Sequence, residues 1–250
     1  MGRFEEKVAV VTGAGQGIGE GYAKGLAAEG ASVVVAELND EQGERVAGEI
    51  NGSGGSALFV HTDVSDEQSC LDMGKAAVGA FSGVDYLINN AAIYMGMRLE
   101  GMTTVDMAYW DKFMSVNMTG VLLATRGVLD SMKERGGGAI VNQSSTAAYM
   151  GAGYYGIAKL AVHGITHSLA NELGMFDIRV NAIAPGPTDT EATQQVVPEG
   201  MVDMLLDQMP LKRMGTVDDM VSAALFLLSD EASWITGQIL QVDGGQIMRP

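Results

Sequence analysis

Tyr155 and Lys159 stand four residues apart in the segment SSTAAYMGAGYYGIAK, which runs from Ser144 to Lys159. On a helix, this spacing places both side chains on one face, about one turn apart. A free phenol has a pKa of about 10 and is a poor base at neutral pH, but a nearby ammonium favours the phenolate. The pair therefore predicts a general acid and base for an alcohol or a ketone.

Two adjacent serines, Ser144 and Ser145, come at the end of the apolar run AIVNQS. This run is typical of a buried strand, and open α/β sheets bind ligands at the carboxyl ends of their strands. One serine hydroxyl can therefore hydrogen-bond the developing alkoxide of a substrate, although the spacing alone does not choose between them. Tyr154 points away from Lys159 on the same helix, so Tyr154 and Tyr149 are interpreted as pocket or packing residues.

A glycine-rich turn, TGAGQGIG, follows the first apolar run, from Thr12 to Gly19. It fits the pattern GxxxGxG through Gly13, Gly17 and Gly19, and Ile18 stands where GxGxxG needs its third glycine. Glycines permit positive φ and let the backbone approach a pyrophosphate at a helix N-terminus, where free N–H groups favour anions. The turn predicts a dinucleotide site, and a tight strand–helix turn without a ligand is the alternative.

The second apolar run ends at Glu37, about 20 residues beyond the glycine turn. A carboxylate at this position accepts a hydrogen bond from a ribose 2′-hydroxyl and would repel a 2′-phosphate. The nearby polar side chains are Gln16 and Asn39, so no Arg or Lys is at hand to bind such a phosphate. These residues predict NAD rather than NADP. The other interpretation of Glu37 is an ordinary solvated charge at a helix start.

The elements that must position these residues alternate regularly along the chain. Seven nearly continuous apolar runs are predicted as buried strands: KVAVVT, ASVVVAE, ALFVHT, VDYLINN, AIVNQS, IRVNAIA and ILQVDGG. Helical patterns separate them, including segments at 17–29, 40–50, 67–81, 107–134 and 155–173. The alternation implies an α/β fold with right-handed crossovers, a parallel sheet and helices on both faces. We expect one domain over residues 1–250, with a substrate lid at about 188–212.

The composition excludes several classes of function. The chain carries 31 Asp and Glu against 15 Lys and Arg, and its net charge of −16 argues against a nucleic-acid or membrane-surface partner. Hydrophobic residues make up 47% of the chain, which excludes disorder. No apolar run approaches the roughly 18 residues of a spanning helix, and the N-terminus lacks the features of a signal peptide. With Cys70 as its single cysteine, the chain is expected to be cytoplasmic and free of disulfides.

Taken together and in this order, the motifs resemble those of the short-chain dehydrogenases/reductases. The segments that carry the resemblance are TGAGQGIG, NNAA, Asn117 in SVNMTG, the SS and YxxxK pair of motifs, Pro185-Gly186 after RVNAIA, and ASWITGQILQVDGG. The resemblance covers essentially the whole chain. It implies a Rossmann-type doubly wound parallel sheet of about seven strands, commonly in a homotetramer. It also implies hydride transfer to or from a nicotinamide.

The resemblance implies roles for individual residues. Tyr155 would be the acid and base, Lys159 would lower its pKa and hold the nicotinamide ribose, and Ser145 would polarise the substrate oxygen. Asn117 would support a water-linked proton relay to Lys159, and Asp63 would contact the adenine. The full set of predicted cofactor-binding residues is Gly13, Gln16, Gly17, Ile18, Gly19, Glu37, Leu38, Asp63, Val64, Asn90, Ala91, Ala92, Tyr155, Lys159, Pro185, Gly186, Thr188 and Thr190.

Several of the 17 methionines fall in candidate pocket walls. Thioether side chains fill irregular gaps and adapt to apolar ligands, although simple core packing explains more than half of these residues. The predicted substrate-binding residues are Ser145, Tyr155, Met95, Met150, Tyr149 and Met204. We expect a small to medium apolar alcohol or ketone, alicyclic or aromatic. Compared with the family, the segment between Ser145 and Tyr155 is shorter and the loop at 92–117 is longer.

The sequence therefore predicts an NAD-dependent secondary-alcohol dehydrogenase or ketone reductase. A 3-oxoacyl-thioester reductase of the same family is the first alternative. A nucleotide-sensing binding protein would be expected to lack Tyr155 or Lys159, and a sugar-nucleotide epimerase or dehydratase would need a longer chain. The HxxxH spacing of His163 and His167 lacks an evident third ligand, so no metal is predicted.

Overall fold

Seven parallel strands form one sheet in the computed structural model, which describes residues 2–196 and 200–249. The strands are β1 (Val8–Thr12), β2 (Ser32–Glu37), β3 (Ser56–His61), β4 (Tyr86–Asn89), β5 (Gly138–Gln143), β6 (Ile178–Pro185) and β7 (Ile239–Val242). Their order is β3-β2-β1-β4-β5-β6-β7, so the order reverses at β1, which lies between β2 and β4. This confirms the predicted α/β fold, and it places a ligand crevice outside the carboxyl ends of β1 and β4.

Helices cover both faces of this sheet. They are α1 (Gly17–Ala28), α2 (Asp40–Gly52), α3 (Glu67–Phe81), α4 (Met107–Met114), α5 (Gly120–Glu134), α6 (Gly153–Leu173), α7 (Glu191–Val196), α8 (Met201–Gln208) and α9 (Val217–Leu228). Asn39 and Asp66 cap α2 and α3 by accepting backbone N–H groups with their side chains. Short polar residues between apolar runs thus fix where the crossover helices begin.

The predicted single helix at 107–134 is wrong in one respect. The structure interrupts it with a π-helical segment, Ser115–Thr119, which joins α4 to α5. A π turn inserts an extra residue into the helical ladder and is frequent at functional sites. The insertion contains Asn117, whose side chain is buried and turned toward the loop after β4. A 3.6-residue apolar period does not reveal such an insertion.

Apolar residues form a core on each face of the sheet. One face packs β1 and β2 against α1, α2 and α9, through residues such as Val11, Val33 and Leu225. The other face packs the sheet against α3, α5 and α6, through residues such as Leu87 and Ile140. The five inner strands are largely buried, which explains their continuous apolar sequences, and the edge strands β3 and β7 are only partly buried. These two cores hold the strand ends, and hence the crevice, in fixed positions.

The predicted lid at 188–212 contains α7 and α8, and residues 197–199 within it lie outside the described residues. Thr188 joins the start of this segment to Gly215 through a parallel bridge. None of the helices in the described part of the chain is both long enough and apolar enough to cross a membrane.

Candidate active site

A cleft of about 1310 Å³ opens at the carboxyl ends of the strands. Drug-sized ligands occupy pockets of roughly 300–1,000 Å³, so this cleft has room for a dinucleotide and a second molecule. Every residue predicted to bind the cofactor lines it, from the glycine turn at Gly13 to Thr190 before α7. The sequence-based choice of these residues is therefore compatible with one continuous surface.

The glycine turn has the shape that a pyrophosphate needs. Gly17 adopts φ 57°, and a Cβ built on it meets nothing within 4 Å, so the backbone there faces open space. A Cβ at Gly19 would collide with the carbonyl of Gly13 and with the Asn90 amide. Glycine is required at Gly17 for the backbone conformation and at Gly19 for close packing. The turn leads directly into α1, whose first N–H groups favour an anion.

Asn90 ties the end of β4 to this turn. Its Nδ2 donates to the carbonyls of Thr12 and Gly13, at 3.1 and 2.9 Å. The backbone N–H groups of Asn90 and Ala91 both donate to Thr12 Oγ1, at 3.0 and 3.1 Å. The two strands at the crevice are thus held together by side-chain bonds as well as by the sheet. The NNAA motif is a structural brace for the cofactor side of the cleft.

The Glu37 carboxylate lies at the end of β2, against the glycine turn. Its Oε2 accepts from Gly15 N at 2.9 Å, and its Oε1 accepts from Leu38 N and Asn39 N at 2.9 and 3.0 Å. The side chain is therefore oriented into the cleft by the backbone and is not a freely solvated charge. Glu37 lines the cleft beside the glycine turn.

A basic residue, Arg45, contacts the glycine turn, where the sequence predicted no Arg or Lys. Arg45 of α2 donates to the carbonyl of Gly15 at 2.9 Å, although it is 30 residues away along the chain. The same guanidinium pairs with Glu20 at 2.7 Å and Glu49 at 2.9 Å, and Arg45 is not part of the described cleft lining. The packing of α2 beside α1 brings Arg45 to the glycine turn, so the prediction that no basic residue lies near this turn is wrong. Two carboxylates neutralise this arginine.

Asp63 follows β3 and lines the next part of the cleft. Its Oδ1 accepts from the Ser65 N–H and from the Ser65 hydroxyl, at 2.9 and 2.6 Å. Its own N–H donates to Ser69 Oγ at 2.9 Å. These bonds fix the carboxylate beside Val64, at the far end of the cleft from Tyr155. The sequence TDVSDEQS thus builds a rigid loop rather than a flexible acidic segment.

Tyr155 and Lys159 both line the opposite end of the cleft, on α6. Lys159 is only 3% exposed, and its Nζ donates to the carbonyl of Gln143 at 2.9 Å. The same nitrogen lies 5.9 Å from the centre of the Tyr155 ring. Burial lowers the pKa of Lys159 to about 8. The helical spacing read from the sequence therefore places an ammonium of reduced basicity beside the phenol.

The pKa of Tyr155 differs from the sequence-based expectation. Burial, with a smaller contribution from Tyr94, raises the pKa of the phenol above its usual range, and a hydrogen bond with Ser145 opposes this increase. Burial is the largest of these causes, and Lys159, whose Nζ donates to the Gln143 carbonyl, does not offset it. The shift is therefore opposite in direction to the predicted lowering.

The two serines have different environments. Ser144 is 2% exposed, and its hydroxyl lies 3.1 Å from the Lys159 carbonyl and 2.7 Å from His163 Nε2. Ser145 is half-buried, caps a short 3-10 turn by accepting from Ala147 N at 3.2 Å, and acts to lower the pKa of the Tyr155 phenol. Both serines line the cleft, but the Ser144 hydroxyl is engaged by the Lys159 carbonyl and His163, whereas Ser145 acts on the pKa of the phenol. This geometry favours Ser145 over Ser144 as the serine that polarises the substrate oxygen, in agreement with the family resemblance.

Asn117 makes a different contact from the predicted one. Its Oδ1 accepts from Ile93 N at 2.7 Å, and its Nδ2 donates to Ile93 O at 3.2 Å. The side chain is 1% exposed and does not belong to the described cleft lining. Both ends of the amide are thus occupied by one backbone unit of the loop after β4. Asn117 positions that loop, and its relay to Lys159 stays a prediction.

The predicted substrate residues divide into two groups. Met95 and Met150 line the cleft with Tyr155 and Ser145. Tyr149 instead ends the 3-10 turn and packs its ring 5.1 Å from His163 and 4.0 Å from the Arg249 guanidinium. Met204 is 66% exposed on α8, where Leu205 lines the cleft in its place.

The physical reasons for these two differences are local. The shortened segment before α6 folds as a 3-10 turn (Thr146–Tyr149), which carries Tyr149 toward the C-terminal residues. On α8, neighbouring residues point about 100° apart, so the methionine and the leucine face different surroundings. The presence of an apolar residue in a predicted lid does not show which side of the lid helix faces the cleft.

Two residues, Tyr94 and Gln246, line the end of the cleft that contains Tyr155 and were not among the predicted substrate-binding residues. Tyr94 lines the cleft, and its ring centre lies 5.3 Å from that of Tyr155. Gln246 also lines the cleft, and its Nε2 lies 3.8 Å from Met150 Sδ. An aromatic residue shortly after NNAA was a usable signal for the first. No motif marks Gln246, which reaches the cleft from the turn after β7.

The two histidines on α6, His163 and His167, have different surroundings from those of a metal-ligand cluster in the described residues. His163 is bonded to Ser144 through Nε2, and burial lowers its pKa to about 4. No group of three or more potential metal ligands exists in residues 2–196 and 200–249. His163 is therefore a buried partner of Ser144.

Comparisons with known proteins agree with this geometry. The sequence matches the family described as "Enoyl-(Acyl carrier protein) reductase" over residues 13–246. An uncharacterized oxidoreductase of Mycobacterium tuberculosis is 59% identical over 246 residues, which is 98% of this chain and 99% of that protein. A 2,5-dichloro-2,5-cyclohexadiene-1,4-diol dehydrogenase of Sphingobium indicum is 37% identical over 246 residues, with 97% of each chain covered.

Solved structures give the same result. A 7α-hydroxysteroid dehydrogenase complexed with NADH and 7-oxo-glycochenodeoxycholic acid has a TM-score of 0.92 to this chain. The two sequences are 34% identical, and the match covers 99% of this chain and 96% of that one. The likeness therefore extends over the sheet, the helices and the cleft.

Proposed function

Because the chain belongs to the short-chain dehydrogenase/reductase family, we propose that it is an NAD-dependent oxidoreductase that interconverts a cyclic secondary alcohol and its ketone. The observation that carries the proposal is the phenol of Tyr155, which lines the end of a cleft that begins at the glycine turn, together with Ser145 and the nearby ammonium of Lys159. A phenol, a hydroxyl and an ammonium around one point suit proton transfer to or from an alcohol oxygen.

Each side chain has a distinct task in this mechanism. When bound, the nicotinamide supplies the hydride acceptor for alcohol oxidation or the hydride donor for ketone reduction. During oxidation, the Tyr155 phenolate would accept the proton of the substrate O–H bond, as the carbon that bears this oxygen loses a hydride and the C=O bond forms. Ser145 donates a hydrogen bond to the substrate oxygen, and Lys159 favours the phenolate by its charge. Reduction runs through the same groups in reverse.

The fit of a dinucleotide is supported by the open backbone at Gly17 and by the fixed carboxylates of Glu37 and Asp63. Glu37 carries a negative charge where a 2′-phosphate would lie, and Arg45 nearby is already paired with Glu20 and Glu49. This balance of charge favours NAD over NADP.

A cyclic apolar substrate is favoured by the lining of the substrate end. Met95, Met97 and Met150 provide adaptable apolar surface, and Tyr94 provides a flat ring. Two similar proteins are named for cyclic compounds, a chlorinated cyclohexadienediol and a hydroxysteroid. These observations support an alicyclic or aromatic secondary alcohol for this chain.

The matched family is described as an enoyl-(acyl carrier protein) reductase, so a 3-oxoacyl-thioester reductase is the alternative function. Arg98 and Lys112 line the same cleft and carry the positive charge that a phosphate of a carrier would meet. A 3-oxoacyl-thioester reductase would turn over acetoacetyl thioesters faster than cyclohexanone. The reverse order of kcat/KM values supports the cyclic alcohol.

A homotetramer is proposed on the basis of exposed apolar side chains. Ile157 and Leu160 are 43% and 53% exposed on α6, and Leu122 is 38% exposed on α5. Adjacent apolar residues on neighbouring helix faces are typical of a protein–protein interface. Light scattering of the purified protein measures its mass. A wild-type mass of four chains, together with a lower mass for Leu160→Glu, would support the homotetramer. A monomeric wild type would refute it.

The test of the proposed activity is NAD reduction with a panel of cyclic secondary alcohols. We expect turnover in the wild type and a loss of about 10²–10⁴ in kcat/KM for Tyr155→Phe, since general acid–base catalysis has this magnitude. Tyr154→Phe, which changes the neighbouring phenol, is the matched control and should keep most of the activity. Equal activity of Tyr155→Phe and wild type would refute the mechanism.

A further inference from the structure

Tyr94 connects three parts of the substrate end. Its ring centre lies 5.3 Å from that of Tyr155, with the planes tilted by 44°. Its hydroxyl faces the side chain of Thr193 on α7, which acts to lower the pKa of the Tyr94 phenol. Thr193 is itself buried, and its hydroxyl lies 3.0 Å from that of Thr190. One side chain therefore spans the cleft from the loop after β4, past the phenol, to the lid.

The two ends of Tyr94 are held differently. The preceding residue, Ile93, is fixed through both its N–H and its carbonyl by the buried Asn117 amide. The carbonyl of Tyr94 accepts from Met97 N at 3.1 Å. The base of the side chain thus belongs to a rigid turn. Its tip meets α7 at the side chain of Thr193.

We propose that Tyr94 is a specificity-determining and positioning residue. Its ring covers one side of the Tyr155 phenol and forms a flat wall for a cyclic substrate. Its hydroxyl fastens α7 over the cleft. This inference rests on the proposed alcohol–ketone activity, because it assigns a task relative to the reacting phenol.

The ring and the hydroxyl have separable consequences. Aromatic rings that pack at this separation hold each other in place, so the ring of Tyr94 restricts the orientation of the phenol. A substrate that reaches Tyr155 must pass beside the same ring, which limits its width. The hydroxyl acts on the lid alone. Tyr94→Phe therefore removes the fastening and retains the wall, whereas Tyr94→Ala removes both.

The first test is a double-mutant cycle on the proposed contact between the Tyr94 hydroxyl and Thr193, which is called the fastening of α7. Tyr94→Phe and Thr193→Val should each raise the rate of NADH release, measured by stopped-flow fluorescence, about three- to tenfold. Because both changes remove the same contact, the double variant should release NADH no faster than either single variant. Tyr86→Phe, a buried tyrosine at the opposite end of β4, is the control and should release NADH at the wild-type rate.

Additive effects of Tyr94→Phe and Thr193→Val would overturn the fastening. This measurement needs no alcohol turnover, so it stands even if the proposed activity fails. In that case the wild type would bind and release NADH but oxidise none of the cyclic alcohols.

The second test addresses the wall. The ratio of kcat/KM for a two-ring alcohol, decahydronaphthalen-2-ol, over that for cyclohexanol should rise about tenfold in Tyr94→Ala, because a lost side chain opens the pocket. Tyr94→Phe should keep the wild-type ratio. An unchanged ratio in Tyr94→Ala would overturn the specificity role.

The positioning role has its own readout in the pH profile of alcohol oxidation. Lys159, Ser145 and Tyr94 face the phenol, and burial, to which the Tyr94 ring contributes, is the largest cause of its raised pKa, followed by the charge effect of the Tyr94 hydroxyl. The apparent pKa of the rising limb should therefore move down further in Tyr94→Ala, which loses the ring and the hydroxyl, than in Tyr94→Phe, which loses the hydroxyl alone. A profile that moves equally in both variants would show that the ring does not act on Tyr155.

A second observation, independent of Tyr94, concerns Gln246. Its Oε1 is buried without a hydrogen-bond partner among the described residues, although the residue lines the cleft beside Met150. The backbone around it is rigid, because Asp243 accepts from Gly245 N and Ile247 N at 2.9 and 2.7 Å. A buried amide oxygen normally has a partner, so this one indicates a group that arrives with the ligand.

The geometry points to a second oxygen function on the substrate, bound by the Gln246 amide. A hydroxyl both donates and accepts, so it satisfies either end of the amide. The preferred substrate would then be an alicyclic diol or hydroxyketone rather than a simple alcohol. Like the assignment of Tyr94, this inference rests on the proposed activity.

The experiment compares cyclohexane-1,3-diol and cyclohexane-1,4-diol with cyclohexanol. The wild type should prefer one diol, and Gln246→Leu should lower that preference about tenfold, because a hydrogen-bonding site discriminates strongly against an analogue without the group. Gln238→Leu, which changes a glutamine outside the cleft, should keep the preference. An unchanged preference in Gln246→Leu would overturn the assignment.

Affinity provides a readout that does not depend on turnover. Dissociation constants of the diols for the enzyme–NADH complex should rise in Gln246→Leu and stay constant in Gln238→Leu. If Gln246→Leu binds the diols as tightly as the wild type does, the amide does not contact them. Failure of all alcohols to react, with this binding difference intact, would refute the proposed activity alone.

Discussion

The cofactor half and the substrate half of the cleft are built in different ways. In the cofactor half, the groups that face the ligand are backbone atoms and short side chains at strand ends, such as Gly17, Glu37 and Asp63. In the substrate half, they are long side chains from a loop, a lid and a C-terminal turn, such as Tyr94, Leu205 and Gln246. Strand ends are fixed by the sheet, whereas the other positions depend on local turns and helix phase. The first half is therefore readable from sequence, and the second half only in part.

The largest effect is expected at the junction of the two halves. Lys159→Met removes the buried ammonium beside Tyr155, and we expect kcat/KM for alcohol oxidation to fall about 10²–10⁴-fold, the range of general acid–base catalysis. Lys75→Met, at an exposed lysine on α3, is the matched control. Steady-state kinetics with NAD and cyclohexanol measure both variants. A loss below about threefold would remove Lys159 from the mechanism.

The same residue predicts a pH dependence. Burial lowers the pKa of Lys159 to about 8, so its charge is present below that pH and is lost above it. Loss of the ammonium removes support for the phenolate, and we expect wild-type kcat/KM to pass through a maximum and decline above a pH of about 8. The residual activity of Lys159→Met should lack this decline. The same alkaline limb in both proteins would assign it to another group.

The next effect compares two adjacent serines. Ser145→Ala removes the hydroxyl that acts to lower the pKa of Tyr155, and we expect kcat to fall about 10²-fold, as for loss of one oxyanion donor. Ser144→Ala removes the partner of His163 and should lower kcat about tenfold or less, through a shift in α6. Thermal unfolding should reveal the larger effect for Ser144→Ala. A reversed order of the kcat values would exchange the two roles.

A smaller effect is expected at the cofactor end. Glu37→Ala removes the charge that opposes a 2′-phosphate, and the ratio of kcat/KM for NAD over NADP should fall about tenfold, as a close charge contact is worth about 1.4 kcal/mol. Glu49→Ala, on the outer side of Arg45, is the control for a lost carboxylate in this region. An unchanged ratio in Glu37→Ala would remove its assigned role.

The smallest effect tests the phase of α8. Leu205→Ala should raise KM for cyclohexanol about three- to fivefold, because this side chain lines the cleft. Met204→Ala should leave KM within about twofold of the wild type, because the methionine is largely exposed. Equal effects would mean that the lid adopts another orientation when a substrate binds.

The sequence predicts the sheet, the crossovers and the cofactor side of the cleft because each follows from a regular pattern. Continuous apolar runs specify buried parallel strands, and the carboxyl ends of those strands must share one edge. The four-residue spacing of Tyr155 and Lys159 likewise specifies their common face. These inferences need no knowledge of how distant segments pack.

The remaining site residues depend on contacts between distant segments. Tyr149 turns away because a 3-10 turn precedes α6, and Asn117 meets Ile93 because a π turn interrupts the helix. Arg45 approaches the glycine turn only through the packing of α2 against α1. None of these arrangements has a periodic signature, so residue type and spacing alone do not predict them.

Direct transfer of hydrogen from substrate to cofactor is the most direct test of the central claim. Cyclohexanol deuterated at its reacting carbon is mixed with NAD and an excess of enzyme, and the reduced cofactor is analysed by NMR. The wild type should place deuterium at C4 of the nicotinamide, and Tyr155→Phe should do so about 10²–10⁴ times more slowly. Reduced cofactor without deuterium, or equal rates in both proteins, would contradict hydride transfer assisted by Tyr155.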